Sequence, residues 1–221
     1  MTRWRFGGAL AVLAFLALGT WMAWPAAKPR EAGSQRKVVE TPRPVGPPQL
    51  SGRTYLAPEQ LHHALATGEL DRPVTSLLQV EKPLTYGDFR WDDNGVGAGA
   101  TWIRVDLRRQ ILSVFRDGNE IGTAVILYGA KTKETHAGLY HILAKAKNHR
   151  SSLYDAEMPY TLRLTDDGVS IHGSNVRWGA ATHGCIGVPM AFAEKLFAAV
   201  STHDDVVILR NPVGGGSQSN S

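Results

Sequence analysis

"TWIRVDLRRQILSVFRDGNEIGTAVILYG", residues 101–129, decides the fold class. Apolar and polar residues alternate through "TWIRVDL", and two arginines separate it from a second run, "QILSVF". β-Branched and aromatic residues at period two suit pleated strands. "RDGNE" follows as a hairpin turn, with Gly118 free to take the positive φ such turns use. "IGTAVILYG" returns as a third strand. Further out, "GLYHILAK", "YTLRL" and "VSIH" continue the series, with "TDDG" as the turn between the last two. "FAEKLFAAV" changes the period: Phe192, Leu196 and Val200 recur every four residues, as along a helix, and "DDVVIL" closes the run. Many short strands with a late helix predict a mainly β domain, a sandwich or partial barrel, over residues 100–211.

Upstream, residues 51–99 read as a lead-in that packs on the domain. A short helix is predicted within 55–70: Pro58 and Glu59 suit a first turn, Leu61 and Leu65 share a face, and Gly68 is a stop. Residues 28–50 are rich in proline and in basic residues, have no hydrophobic period, and read as a solvated tether. In residues 1–27, Arg3 and Arg5 precede an uncharged apolar run from Phe6 to Trp24. This is the layout of a signal peptide, and residues 6–24 are also long enough to serve as a single-pass membrane tether. Either way the body is expected outside the cytoplasm. Residues 212–221, "VGGGSQSNS" from position 213, read as a flexible tail.

The 221 residues are 43% hydrophobic and 20% charged, which excludes a chain disordered throughout. A net charge of +4 suits an anionic setting such as a wall or membrane surface. No patch of interleaved basic and aromatic residues stands out, so nucleic acid is excluded as a partner. A monomer is expected.

The one cysteine, Cys185, lies in "SIHGSNVRWGAATHGCIGVP", residues 170–189. It excludes an intramolecular disulfide, and a lone thiol in an oxidising compartment is a liability unless it has a task. His172 and His183 are two candidate imidazoles to activate it. Gly173 and Gly184 allow close approach and sharp turning, and N–H groups around Gly184 and Cys185 could face an oxyanion. These residue types suit acyl transfer through a thioester. The same three side chains could also be zinc ligands with an open fourth position, or Cys185 could be a small buried hydrophobe. His62, His63, His149 and His203 read as surface residues. The residues alone do not choose between His172 and His183 as the base.

"IHG" followed by "THGCIG" resembles the signature of the L,D-transpeptidase (YkuD-type) catalytic domain. The likeness continues in "IRVDLRRQILSVFRDGNEIG", in "ETHAGLYHIL" (which keeps Thr135 and Gly138), in "EMPYTLRLTDDGVSIHG" and in "MAFAEKLF". What the resemblance implies is a mostly β, extracytoplasmic enzyme acting on peptidoglycan stem peptides without a cofactor or metal. Cys185 would attack the third stem residue and release the terminal D-alanine. His172 would be general base and later acid, oriented through the backbone near Gly173. His183 and Thr182 would support the site, and Gly184 and Cys185 would offer oxyanion N–H groups. An amine acceptor would then resolve the thioester. Gly187 departs from the Arg or Asn that many members carry two residues after the cysteine. Arg177 is expected to supply the missing cation and Trp178 to wall the cleft, against a reading of Arg177 as a solvated loop residue. The same departure keeps open an L,D-carboxypeptidase or wall hydrolase using the same pair. Separately, a catalytically silent wall-binding module is an alternative, since a β domain of this shape could bind stems without turning them over.

Overall fold

The computed structural model describes residues 49–130, 133–151 and 155–210. The segment expected as signal or anchor, the tether up to residue 48 and the tail lie outside the described residues. The lead-in supplies β1 (Arg53–Tyr55), α1 (Pro58–Ala66), β2 (Ser76–Leu78) and β3 (Phe89–Trp91). Then come β4 (Thr101–Asp106), β5 (Ile111–Arg116), β6 (Asn119–Val125), β7 (Gly138–His141), β8 (Ala144–Ala146) and β9 (Thr161–Arg163). β10 (Ser170–Ser174), β11 (Ile186–Pro189), α2 (Met190–Ala199) and β12 (Asp205–Leu209) complete the order.

These strands form two open sheets. The larger runs β1-β2-β6-β5-β4-β12-β7, with β3 also paired to β6, and the smaller runs β11-β10-β9-β8. The stretch 101–129 builds the centre of the larger sheet. Thr101 faces Arg116 and Asp106 faces Ile111 across the β4–β5 pair. β5 returns to β6 through Asp117 and Gly118, at φ 48° and 73°, and positive φ at both positions matches the right-handed twist of a two-residue hairpin. A bulge between Val114 and Phe115 shifts the register of that pair.

Period-two alternation sorts the side chains. Ile103, Val105, Leu112 and Val114 are fully buried and join Leu162, Ile171, Ile186, Phe192 and Leu196 in the main core. The core therefore lies between the large sheet on one side and the small sheet with α2 on the other. Phe192 anchors it, its ring 5.7 Å from Phe89 and 5.5 Å from Trp91 in edge-to-face contacts. Trp102 and Phe115 turn the other way, stack at 4.3 Å, and pack in a second cluster with Ala64, Leu70 and Val74.

Two details differ from the pattern in the sequence. "GLYHILAK" is not one strand: β7 pairs with β12 in the large sheet, and β8 pairs with β9 in the small one. Ile142, fully buried between them, marks where the chain changes sheets. The lead-in, expected only to pack on the domain, contributes β1, β2 and β3 to the large sheet itself. Among the described residues no helix is long and apolar enough to cross a membrane.

Candidate active site

β10 and β11 run parallel, with Ile171 opposite Ile186 and His172 opposite Gly187. Residues 175–185 make the connection that parallel pairing requires. Cys185 is the last residue before β11, so this register carries it to the same sheet end as the start of β10.

The Cys185 thiol is half-buried, with Sγ 3.8 Å from the Gly168 carbonyl oxygen. Burial pushes it above the ordinary thiol pKa. A hydrogen bond with the Ser170 backbone and the charge of Lys133 pull it down, and the charge of Asp167 raises it further. His172 is buried, and its Nδ1 lies 3.0 Å from the Gly173 carbonyl. A carbonyl only accepts, so Nδ1 carries the proton and Nε2 keeps its lone pair. Burial holds this imidazole below its ordinary pKa; the Gly173 carbonyl opposes that and the charge of His149 adds to it. Both directions favour the neutral thiol and the neutral imidazole.

The turn that presents Cys185 is held at several points. The Thr182 hydroxyl donates to the Cys185 carbonyl, and the Thr182 N–H donates to the Tyr128 carbonyl at 3.1 Å. Thr135, fully buried, accepts from the Gly129 N–H at 2.9 Å and donates to the Gly184 carbonyl at 3.0 Å. Gly184 sits at φ 99°, a conformation that side chains disfavour, so its glycine is a backbone requirement. Space at Gly173 is tight: a Cβ there would lie 2.8 Å from the flexible Met190 sulfur and 3.3 Å from Ala193 Cβ and Pro159 Cγ, where α2 crosses β10.

Gly187 also has a steric reason. A Cβ at this position would lie 2.9 Å from the Ser174 Cβ. Its backbone exchanges hydrogen bonds with Leu127 at 2.8 and 2.9 Å, joining the small sheet to the chain beyond β6.

His172, Thr182, His183 and Cys185 line one cleft of about 480 Å³. Lys133, His149, Arg163 and Asp167 line it too; the sequence reads His149 as a surface residue and points to none of the other three. His149 is exposed, as expected of a surface residue, yet it faces the cleft. Arg177 and Trp178, expected to hold substrate and wall the cleft, are exposed and stand outside its lining. Their loop packs instead on a satellite cluster of Val125, Leu127 and Val176, with Trp178 edge-to-face on Tyr86 at 5.5 Å. Among the described residues, Arg163 is the arginine that reaches the cleft. Among the described residues no three His, Cys, Asp or Glu side chains are grouped to hold a metal ion.

Residues 100–208 match the family model of YkuD, the L,D-transpeptidase catalytic domain, and this part of the chain belongs to that family. No curated protein matches the chain. Among solved structures, it is similar to an L,D-transpeptidase from Stackebrandtia nassauensis at 25% identity and a TM-score of 0.47, covering 53% of this chain and 59% of that one. An L,D-transpeptidase from Mycobacterium tuberculosis is similar at 24% identity and 0.46, covering 50% and 58%. One from Enterococcus faecium is similar at 24% and 0.47, covering 51% and 50%. The chain thus spans under two thirds of the length of each, and the family assignment rests on the family model.

Proposed function

We propose that this protein is a cysteine-dependent L,D-transpeptidase of peptidoglycan stem peptides. The observation that carries the proposal is the hydrogen bond between His172 Nδ1 and the Gly173 carbonyl, which only accepts. The Nδ1–H is committed to that carbonyl, which leaves Nε2 as the proton acceptor in the cleft that also holds the Cys185 thiol.

The two groups begin neutral, so the proton moves as the sulfur attacks. Sγ bonds to the carbonyl carbon of the third stem residue while His172 takes the thiol proton. N–H groups of Gly184 and Cys185 receive the developing oxyanion, on a turn held by Thr182 and Thr135. The bond to the terminal D-alanine breaks, and His172 returns its proton to the leaving amine. The remaining thioester is then attacked by an amine of a second stem, which restores the free thiol. His183 supports the cleft wall. No cofactor takes part in this sequence. The expected site of action is extracytoplasmic, with residues 6–24 as signal or tether. The domain plan is a tether, a lead-in (51–99) and a catalytic domain (100–211).

A second reading uses the same pair with water as acceptor, and Gly187 favours it, because no side chain stands there to help hold an acceptor. Incubation with purified disaccharide-tetrapeptide, followed by mass spectrometry, separates them. Crosslinked dimer with free D-alanine, absent from Cys185→Ala, is the expected result. Tripeptide monomer alone selects the carboxypeptidase, and no Cys185-dependent product sends the protein to the silent-module class.

A further inference from the structure

The face of the large sheet turned away from the main core carries a row of buried polar side chains: Arg104, Asp106, Ser113, Glu120 and Thr123. Polar groups on a buried sheet face are costly unless something satisfies them. α1 and the lead-in roof this face without filling the space beneath. A cavity of about 640 Å³ remains, and it shares no lining residue with the Cys185 cleft. Leu56, Leu70 and Leu77, all outside the family match, supply its apolar roof. Apolar walls around a few convergent polar groups, at this size, are the make-up of a small-molecule pocket.

Charge selects the occupant. Arg104 already faces two carboxylates, Asp71 at 3.3 Å and Asp106 at 3.5 Å, and gives Nη2 to the Glu69 carbonyl at 2.7 Å. Arg109 shares Asp106 at 3.5 Å. The arginines lining the cavity are therefore matched. Glu120 is different: its carboxylate accepts the Leu78 N–H at 2.8 Å and takes part in no ion pair among the described residues. The neighbouring Arg53 spends its guanidinium on the Ser76 hydroxyl and on the backbone carbonyls of Glu120 and Asp92. Burial pushes the Glu120 pKa up, against the pull of Ser113, Leu78, Arg53 and Arg104, so a cation arriving there would regain a desolvated charge partner.

We propose that this cavity binds a small amphipathic amine, with its ammonium at Glu120 and the Ser113 and Thr123 hydroxyls, and its apolar body beneath Leu56, Leu70 and Leu77. The ligand class follows from the acidic floor and apolar roof, and the site stands apart from the acyl-transfer chemistry.

The test titrates the purified full chain with phenethylamine, phenylpropionate and phenethyl alcohol, following thermal midpoint and ligand-observed NMR. Phenethylamine should bind saturably and raise the midpoint, while the acid and the alcohol should not. Glu120→Gln should weaken phenethylamine by about tenfold or more, as loss of a charged hydrogen bond does. Val80→Trp, a substitution at the exposed rim of the cavity, should block it, and decides the matter if the Glu120 variant does not fold. Cys185→Ala should bind like the parent. Equal binding of phenylpropionate or phenethyl alcohol, absence of saturable binding, or phenethylamine binding that survives Val80→Trp would overturn the proposal.

Discussion

Gly187 and Ser174 compete for one volume. Asparagine at 187 would force its Cβ against Ser174, and overpacking of this kind costs about 1–3 kcal/mol. Gly187→Asn is therefore expected to lower stability by that amount, and Ser174→Gly in the same chain to recover most of it. A double-mutant cycle by urea unfolding measures the coupling; additive effects would contradict the account. The thiol offers a second check at this scale. Because burial raises the Cys185 pKa and the Asp167 charge raises it further, alkylation by iodoacetamide should climb with pH to a midpoint above that of an exposed cysteine. Asp167→Asn should move the midpoint down, and Lys133→Ala should move it up. That Cys185 and His172 line one cleft was legible in the sequence because both lie in one short motif, although the residues alone left His172 and His183 open as the base. The Ser174–Gly187 contact was not, since it depends on a parallel register that no local period encodes.

Among the elements, the turn before β11 depends on Thr135, which sits on a different segment. Thr135→Val keeps the shape but removes the acceptor for Gly129 N–H and the donor to the Gly184 carbonyl. A loss of about 1–3 kcal/mol is expected from the groups left unsatisfied, together with slower acylation, because the same turn carries Cys185. Unchanged unfolding and unchanged acylation would show that Thr135 is not what holds the turn. The strands of 101–129 were readable because each buries one face on the core, which gives a clean alternation. The division of "GLYHILAK" was not, because residues on either side of a sheet change keep the same period and only the partner differs. The position of Arg177 and Trp178 outside the cleft lining was not readable for a related reason: a loop's direction is set by what it packs on, here Tyr86 and its neighbours, which lie far away in sequence.

At the level of the whole molecule, the large sheet depends on the lead-in. Without residues 49–99, β6 loses β2 and β3, and the buried polar row around Glu120 loses its roof. A chain starting at residue 100 is expected to lose cooperative unfolding, which calorimetry would detect. Glu120 should also write itself into the pH dependence. Its folded pKa is raised, so the native state holds the proton more tightly than the unfolded chain. Its contribution is fully present below the ordinary carboxylate range and is lost as pH rises through the folded pKa. Glu120→Gln removes this dependence, so its stability relative to the parent should grow with pH in that window. A constant difference would mean that folding does not raise the Glu120 pKa. The acidic floor was not legible in the sequence, because its members come from three strands and look like ordinary alternating polar positions until a roof covers them.

If Cys185 forms a thioester with a stem peptide while His172 carries the proton, the acyl-enzyme has a definite mass. Intact-protein mass spectrometry of the full chain, quenched in acid shortly after mixing with disaccharide-tetrapeptide, tests this step most directly. The expected result is an adduct with the mass of the tetrapeptide donor less D-alanine, mapped to the peptide containing Cys185. It should be absent from Cys185→Ala and slow to appear in His172→Gln. Turnover without such an adduct, or an adduct that His172→Gln leaves unchanged in rate, would contradict that step.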